Sequence, residues 1–207
     1  MTTPITLYSA DHCPFSHRCR LVFCEKEMEP EKIISVDLSR KPDELWDYNP
    51  LFGQVPILID GNLRLYESNV INEYLDGRFP HPQLMPVDIV LRAKVRLMMN
   101  QLESLVFRHV QTLEAKKTGK QRAEECKKRI CEELVRQFAD LPRHQRYIMD
   151  REFTMLDVAL APLLWRLEHY QINLPPRTVA LRKYAERVFS RPAFAKSLTV
   201  TERAMRK

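Results

Sequence analysis

Short runs of alternating apolar and polar residues mark the first 79 residues of the chain and predict strands there. Two of these runs flank Asp60-Gly61-Asn62, a sequence typical of a hairpin turn. Helix-forming segments alternate with the runs, and Pro14 stands just inside the first of them, where its missing N–H has no intrahelical partner to lose. The predicted elements are a strand at 5–9, a helix at 13–26, a strand at 32–38, a hairpin within 55–68 and a helix at 68–79.

Beyond residue 86 the apolar positions recur at spacings of three and four, which predicts that this part is helical throughout. We expect a long first helix, a second helix at 123–138, a core helix that begins after Thr154 and a last helix at 178–189, followed by a polar tail. Thr154 and Asp157 have the spacing of a capping box, which satisfies free N–H groups in the first turn of a helix. The apolar stripe of the first helix consists of Leu91, Val95, Met98, Leu102 and Leu105.

The pattern divides the chain into an α/β domain of thioredoxin-like element order at 1–79, a linker at 80–86 and an all-helical domain at 87–207. The linker holds three prolines, and proline cannot continue a helix. Charge follows the same division, with 8 basic and 13 acidic residues up to position 79 and 25 basic and 14 acidic residues after it. The basic second part indicates either a surface for nucleic acid or an acidic protein, or an ordinary solvated helix surface.

Cysteine usage and hydropathy exclude several classes of protein. Five cysteines at irregular spacing, without an export signal, predict reduced thiols in a cytoplasmic protein. Cysteine and histidine do not cluster at ligand spacing, so we expect no metal site. No apolar run approaches the ~18 residues of a membrane span, so we expect no membrane association.

Element order, linker and capped core helix together resemble the glutathione S-transferase fold over essentially the whole chain. Within it, "NPLFGQVPIL" resembles the family segment with a cis proline whose preceding residue pairs by its backbone with glutathione. The "YES" segment resembles the one that holds the γ-glutamyl end. Glutathione is therefore a possible ligand, and no cofactor is required. The residues that the resemblance assigns to glutathione are Cys13, Phe15, Lys41, Val55, Pro56, Glu67 and Ser68.

Three longer strings, "EYLDGRFPHPQLMPV", "LAPLLWRL" and "SLTVTERAMR", closely resemble the bacterial stringent starvation protein A group. This resemblance implies a homodimeric, stress-related transcription regulator that binds RNA polymerase together with its primary sigma factor. It implies a polymerase contact at Pro80, His81 and Pro82, for which a rigid linker that only ends a helix is the alternative. Asp88 stands where members often carry tyrosine, which predicts a difference in the polymerase-facing pocket.

Cys13 leaves a second function open, because "CPFS" at 13–16 resembles the omega-like and glutaredoxin-like transferases. These enzymes form a mixed disulfide between this cysteine and glutathione. A thiol at a helix N-terminus meets unpaired N–H groups and the positive end of the helix dipole, which favour the thiolate. Ser16 stands where a CxxC motif has its resolving cysteine, so any chemistry at Cys13 would be that of a monothiol transferase with Cys13 as nucleophile. The alternative is that Cys13 is an inherited thiol of ordinary pKa. His12 and His17, which flank it, either add positive charge at the site or, as we expect, are simply exposed.

Direct DNA binding by the second domain would use the basic stretch "KKTGKQRAEECKKR". The stretch contains no aromatic residue for stacking and no helix-turn-helix pattern. We therefore do not expect direct sequence-specific binding to nucleic acid.

Overall fold

The computed structural model describes residues 4–40, 42–50, 53–115, 117–142 and 145–206. Their contacts form two compact units. The first comprises the described residues up to Leu84 together with Ser190–Met205, and the second comprises Met85–Phe189 together with Arg206. None of the helices in the described ranges combines the length and the apolar composition needed to cross a membrane.

A mixed four-stranded sheet with flanking helices forms the first unit, as predicted. The strand order is β2-β1-β3-β4, in which β1 pairs parallel with β2 and antiparallel with β3, and β3 and β4 form the hairpin. Gly61 in the hairpin turn has a φ of 58°, which glycine adopts without steric conflict. The elements are β1 (Ile5–Ser9), α1 (Pro14–Glu25), β2 (Lys32–Ser35), α2 (Glu44–Tyr48), β3 (Ile57–Asp60), β4 (Leu63–Tyr66) and α3 (Ser68–Arg78).

Among its described residues the second unit contains helices and no strand, and its first long helix contains a π-helical turn at Glu103–Phe107. The buried stripe of that helix runs through Val95, Met99, Leu102, Val106 and Val110. The predicted stripe was thus wrong at Leu91, which lies exposed in the first turn, and at Met98 and Leu105, which are only half-buried. The elements are α4 (Ile89–Leu102), α5 (Arg108–Glu114), α6 (Lys120–Phe138), α7 (Met155–Arg166), a 3-10 turn (Pro176–Thr178) and α8 (Val179–Phe189).

The predicted capping box is present at the start of α7, in the core of the second unit. The Asp157 carboxylate, fully buried, accepts hydrogen bonds from the backbone N–H of Thr154 at 2.7 Å and from that of Ile148 at 3.1 Å. It also accepts from the Tyr184 hydroxyl at 2.8 Å. Burial raises the pKa of Asp157, and these hydrogen bonds oppose the rise. Asp157 therefore joins α7, α8 and the loop that precedes α7.

The C-terminal segment, expected to be a polar tail of the helical domain, instead packs in the first unit. It forms α9 (Pro192–Ser197) and α10 (Val200–Arg203), and α9 packs against α1. Phe194 and Glu202 are fully buried. Arg191 holds the segment through a bidentate ion pair with Glu25. Its Nε and Nη2 atoms lie 2.7 Å and 2.5 Å from the two carboxylate oxygens.

Candidate functional site

Cys13 lies directly before the first residue of α1, in the position predicted from "CPFS". Its backbone N–H donates to the carbonyl of Ala10 at 3.3 Å, and its carbonyl accepts from the N–H of His17 at 3.0 Å. The residue is only 7% exposed. The helix start therefore fixes Cys13, while the surrounding protein covers most of it.

An apolar cluster surrounds Cys13 and includes Tyr8 and Val55, with Phe15 packed against its edge. Burial, aided by the hydrogen bond with Tyr48, raises the pKa of Tyr8 to about 12. Tyr8 therefore stays a neutral phenol even at pH 10, where an ordinary tyrosine is about half ionised. The fold thus brings together Cys13, Phe15 and Val55, three of the residues that the sequence resemblance assigns to glutathione.

The backbone around Val55 and Pro56 has the geometry expected of the family segment, because the peptide bond between them is cis. Pro56 is buried and directly precedes β3. Just before the cis bond, the carbonyl of Gln54 accepts a hydrogen bond at 3.2 Å from the buried Asn49 side chain. Lys41, predicted to contact the same ligand, lies outside the described residues.

The start of α3 carries the other two predicted residues. Glu67 is exposed and has a φ of 68°, an uncommon backbone conformation for a residue other than glycine. Ser68, the first residue of α3, is buried. Its hydroxyl accepts a hydrogen bond at 3.1 Å from Nη1 of Arg18, whose guanidinium lies 5.2 Å from the centre of the Phe15 ring.

Arg18 therefore connects two of the predicted residues, and the sequence interpretation did not include it. It is fully buried on α1. The signal in the sequence is its spacing, because residues 15 and 18 are neighbours on one face of a helix. A buried cation at this place favours a negatively charged group near the start of α3.

The prediction that both flanking histidines are exposed was wrong for His17, although His12 is exposed. His17 is fully buried, with Nε2 2.9 Å from the Ser197 hydroxyl and Nδ1 3.7 Å from Glu202. Helical periodicity explains the difference, because position 17 lies one turn after Cys13 on the face that packs against the C-terminal segment. The sequence offered no sign of that segment's position.

Arg20 ties the C-terminal segment to the loop that precedes Cys13. Its Nη2 atom lies 2.6 Å from the Glu202 carboxylate. Its Nη1 atom donates to the Ser9 hydroxyl at 2.5 Å and to the Ala10 carbonyl at 3.3 Å. The Ala10 carbonyl is also the acceptor for the N–H of Cys13, so this network helps to hold the thiol in place.

Pro80, His81 and Pro82 form a second candidate site, the Pro-His-Pro loop, which follows α3 within the same unit. All three residues are exposed, and the peptide bond before Pro82 is cis. Leu84 and Met85, just beyond the loop, are buried. The loop therefore stands at the surface and is followed directly by buried chain.

A buried ion pair that the sequence did not reveal holds the base of the Pro-His-Pro loop. The Nζ atom of Lys26, at the end of α1, lies 2.5 Å from an Asp76 carboxylate oxygen and donates at 2.5 Å to the Pro82 carbonyl. The same carboxylate oxygen accepts from the N–H of Leu84 at 2.8 Å. Lys26 and Asp76 thus fix the backbone on both sides of Gln83.

Comparison with known proteins assigns the family. The N-terminal domain of glutathione S-transferase matches residues 3–77, and its C-terminal domain matches residues 87–192. A stringent starvation protein A homolog of Coxiella burnetii is 37% identical over 203 residues, which cover 98% of this chain and 95% of the relative. The chain belongs to the stringent starvation protein A family. The resemblance stated from the sequence and the glutathione S-transferase fold are both confirmed.

Other relatives connect this family member to glutathione transferases. Glutathione S-transferase omega-2 of the rat is 43% identical over 96 residues, or 46% of this chain and 38% of the relative. The crystal structure of a rice glutathione S-transferase in complex with glutathione has a TM-score of 0.81 at 24% identity, covering 99% of this chain and 96% of that one. At that identity the structural match concerns the fold alone.

Proposed function

We propose that the protein is a transcription regulator that binds RNA polymerase holoenzyme, including the primary sigma factor, through the Pro-His-Pro loop. The supporting observation is the exposure of all three loop residues above a fixed base. Membership in the stringent starvation protein A family supports the proposal in general terms. The protein would act in the cytoplasm, without direct sequence-specific contact to nucleic acid.

The fixed base of the loop favours binding for an entropic reason. A segment already held in its bound conformation loses less conformational freedom when a partner closes on it. Lys26 and Asp76 restrain the backbone, while the side chains at 80–82 remain accessible. The loop would therefore present His81 between two prolines as a preorganised contact.

The test is co-purification of tagged protein with RNA polymerase from cell extract. We expect the wild type to retain polymerase. The His81→Ala, Pro82→Ala variant should retain at least about tenfold less polymerase, which corresponds to a loss of ~1.4 kcal/mol in binding free energy. Gln54→Ala, at an exposed position before the Val55-Pro56 bond, is the control. Equal recovery with all three proteins would contradict the role of the loop.

A second candidate function is glutathione-dependent thiol transfer by Cys13, favoured by its place at the start of α1 beside Val55 and the cis peptide bond. In this step the Cys13 thiolate attacks glutathione disulfide, whose S–S bond breaks. A mixed disulfide forms on Cys13, and one glutathione thiolate leaves. The two functions are compatible, because Cys13 and the Pro-His-Pro loop are separate parts of the same unit.

Mass spectrometry of the intact protein after exposure to glutathione disulfide tests this step. We expect one added glutathione on the wild type and none on Cys13→Ser. Cys24→Ser is the matched control, because Cys24 lies on the same helix and burial raises its pKa. A mixed disulfide that survives in Cys13→Ser would contradict the assignment.

The cysteines with raised pKa values give a prediction about pH. Burial raises the pKa of Cys24 and of Cys131, both of which are half-buried. Since the thiolate is the reactive form, we expect their alkylation by iodoacetamide to be slow at neutral pH and to accelerate only above pH ~9, beyond the ordinary thiol pKa of about 8.5. Rates measured residue by residue between neutral and alkaline pH provide the check, and a rate independent of pH would contradict it.

The protein would act as a homodimer, and α4 supplies the supporting surface. Val90 and Leu97 are 56% and 58% exposed and lie two turns apart on one face of that helix. A second copy would cover such a face. Light scattering should give a dimer for the wild type and a monomer for Leu97→Glu, whereas a monomeric wild type would contradict the proposal.

A further inference from the structure

A cavity of about 720 Å³ lies in the second unit, apart from the thiol site and the Pro-His-Pro loop. One wall is α8, which contributes Val179, Ala180, Lys183 and Arg187. Leu141 and Tyr147, which come after α6 in the chain, also line it. Its volume falls within the range of sites that hold small organic molecules.

Positive charge dominates the wall of this cavity. Arg177, Lys183 and Arg187 line it, against a single carboxylate, Asp140, among the described lining residues. In the part of the chain that the structure describes, neither Arg177 nor Lys183 forms an ion pair. The two side chains therefore carry charge that no described carboxylate neutralises at close range.

Arg187 gives the cavity a fixed shape as well as charge. Its Nε atom donates to the Arg146 carbonyl at 3.2 Å, and Nη2 donates to the Gln145 carbonyl at 3.3 Å. The buried Tyr184 hydroxyl, also on α8, donates to Asp157 on α7. These contacts hold α8 both to residues 145 and 146 and to α7, so the described lining is in place before any ligand binds.

Apolar side chains also line the cavity. Leu141, Pro142, Val179 and Ala180 line the same cavity, and Val179 is 53% exposed. A ligand that complements both the cationic and the apolar lining residues has a negatively charged group and an apolar body. We propose that this cavity binds a small organic anion, with its carboxylate, sulfonate or phosphate group at Arg177 and Lys183 and its apolar body against Val179 and Leu141.

Fluorescence titration with anilinonaphthalene sulfonate, an aromatic anion, tests the proposal on the full-length protein. We expect saturable binding with one site per chain. The Arg177→Gln, Lys183→Gln variant should bind at least about tenfold more weakly, because it loses two charge-assisted contacts. The affinity for uncharged phenylnaphthylamine, which has the same apolar body, should differ by less than about twofold between the wild type and this variant.

Lys117→Gln, Lys128→Gln is the matched control, since it removes two exposed charges from the same unit away from the cavity. We expect this variant to bind the anion like the wild type, and we expect all three proteins to unfold at the same temperature. The proposal is overturned if the wild type shows no saturable binding. It is equally overturned if the cavity variant and the control lose affinity to the same extent.

Discussion

Substitution of Asp157 by alanine is expected to lower the free energy of unfolding by about 3–5 kcal/mol. The side chain is fully buried and accepts from two backbone N–H groups and the Tyr184 hydroxyl. Alanine would leave these donors buried without an acceptor, and each such loss costs about 1–3 kcal/mol. The effect is large because one carboxylate serves the start of α7, the preceding loop and α8.

Thermal unfolding followed by circular dichroism measures this effect. For a chain of this length, a loss of 3–5 kcal/mol corresponds to a fall of roughly 10 °C in Tm. Tyr184→Phe is the graded control, because it removes one of the donors and should cost about 1–1.5 kcal/mol. A Tm for Asp157→Ala no lower than that of Tyr184→Phe would show that the capping box contributes little.

Substitution of Lys26 by methionine is expected to cost a similar amount, about 3–5 kcal/mol, because it removes one partner of a buried ion pair. The side chain of Lys26 is fully buried and that of Asp76 is 5% exposed. Replacing both residues, as Lys26→Met, Asp76→Leu, should restore part of the stability, because no unpaired charge is then buried, while the Leu84 N–H still lacks its acceptor. Lys32→Met, at an exposed position of β2, is the control for loss of a lysine.

The double variant also separates stability from binding. It lacks the contact between Lys26 and the Pro82 carbonyl, so the Pro-His-Pro loop loses its fixed base. We expect this variant to bind polymerase roughly tenfold more weakly than the wild type despite its partly recovered Tm. If binding recovers together with stability, the ion pair serves the fold and does not position the loop.

Local pattern was sufficient to predict most of the fold. Strand alternation, the Asp60-Gly61-Asn62 turn and the spacing of Thr154 and Asp157 depend on neighbouring residues, and each appears in the structure as expected. The cis peptide bond before Pro56 was implied by family resemblance alone. These features were predictable because short-range geometry determines them, or because a known segment carries them.

Long-range pairing was not predictable from the same signals. Arg20 and Glu202 are separated by 182 positions in the chain, and Lys26 and Pro82 by 56. Charged residues are rarely buried without a partner, and the sequence does not show the partner. It therefore predicts a surface position both for a lysine at the end of a helix and for a carboxylate in a polar C-terminal segment. Only the packing of α9 against α1 and the path of the chain after α3 reveal the partners.

Site-specific photo-crosslinking from position 81 is the most direct test of the proposed function. A benzophenone amino acid in place of His81 would report which protein touches the loop in cell extract, and the same group at Lys128, exposed on α6, is the control. We predict a crosslink from position 81 to a subunit of RNA polymerase holoenzyme or its primary sigma factor, and none from position 128. Irradiation that yields no polymerase crosslink from position 81, while polymerase still co-purifies with the protein, would contradict the Pro-His-Pro loop as the contact.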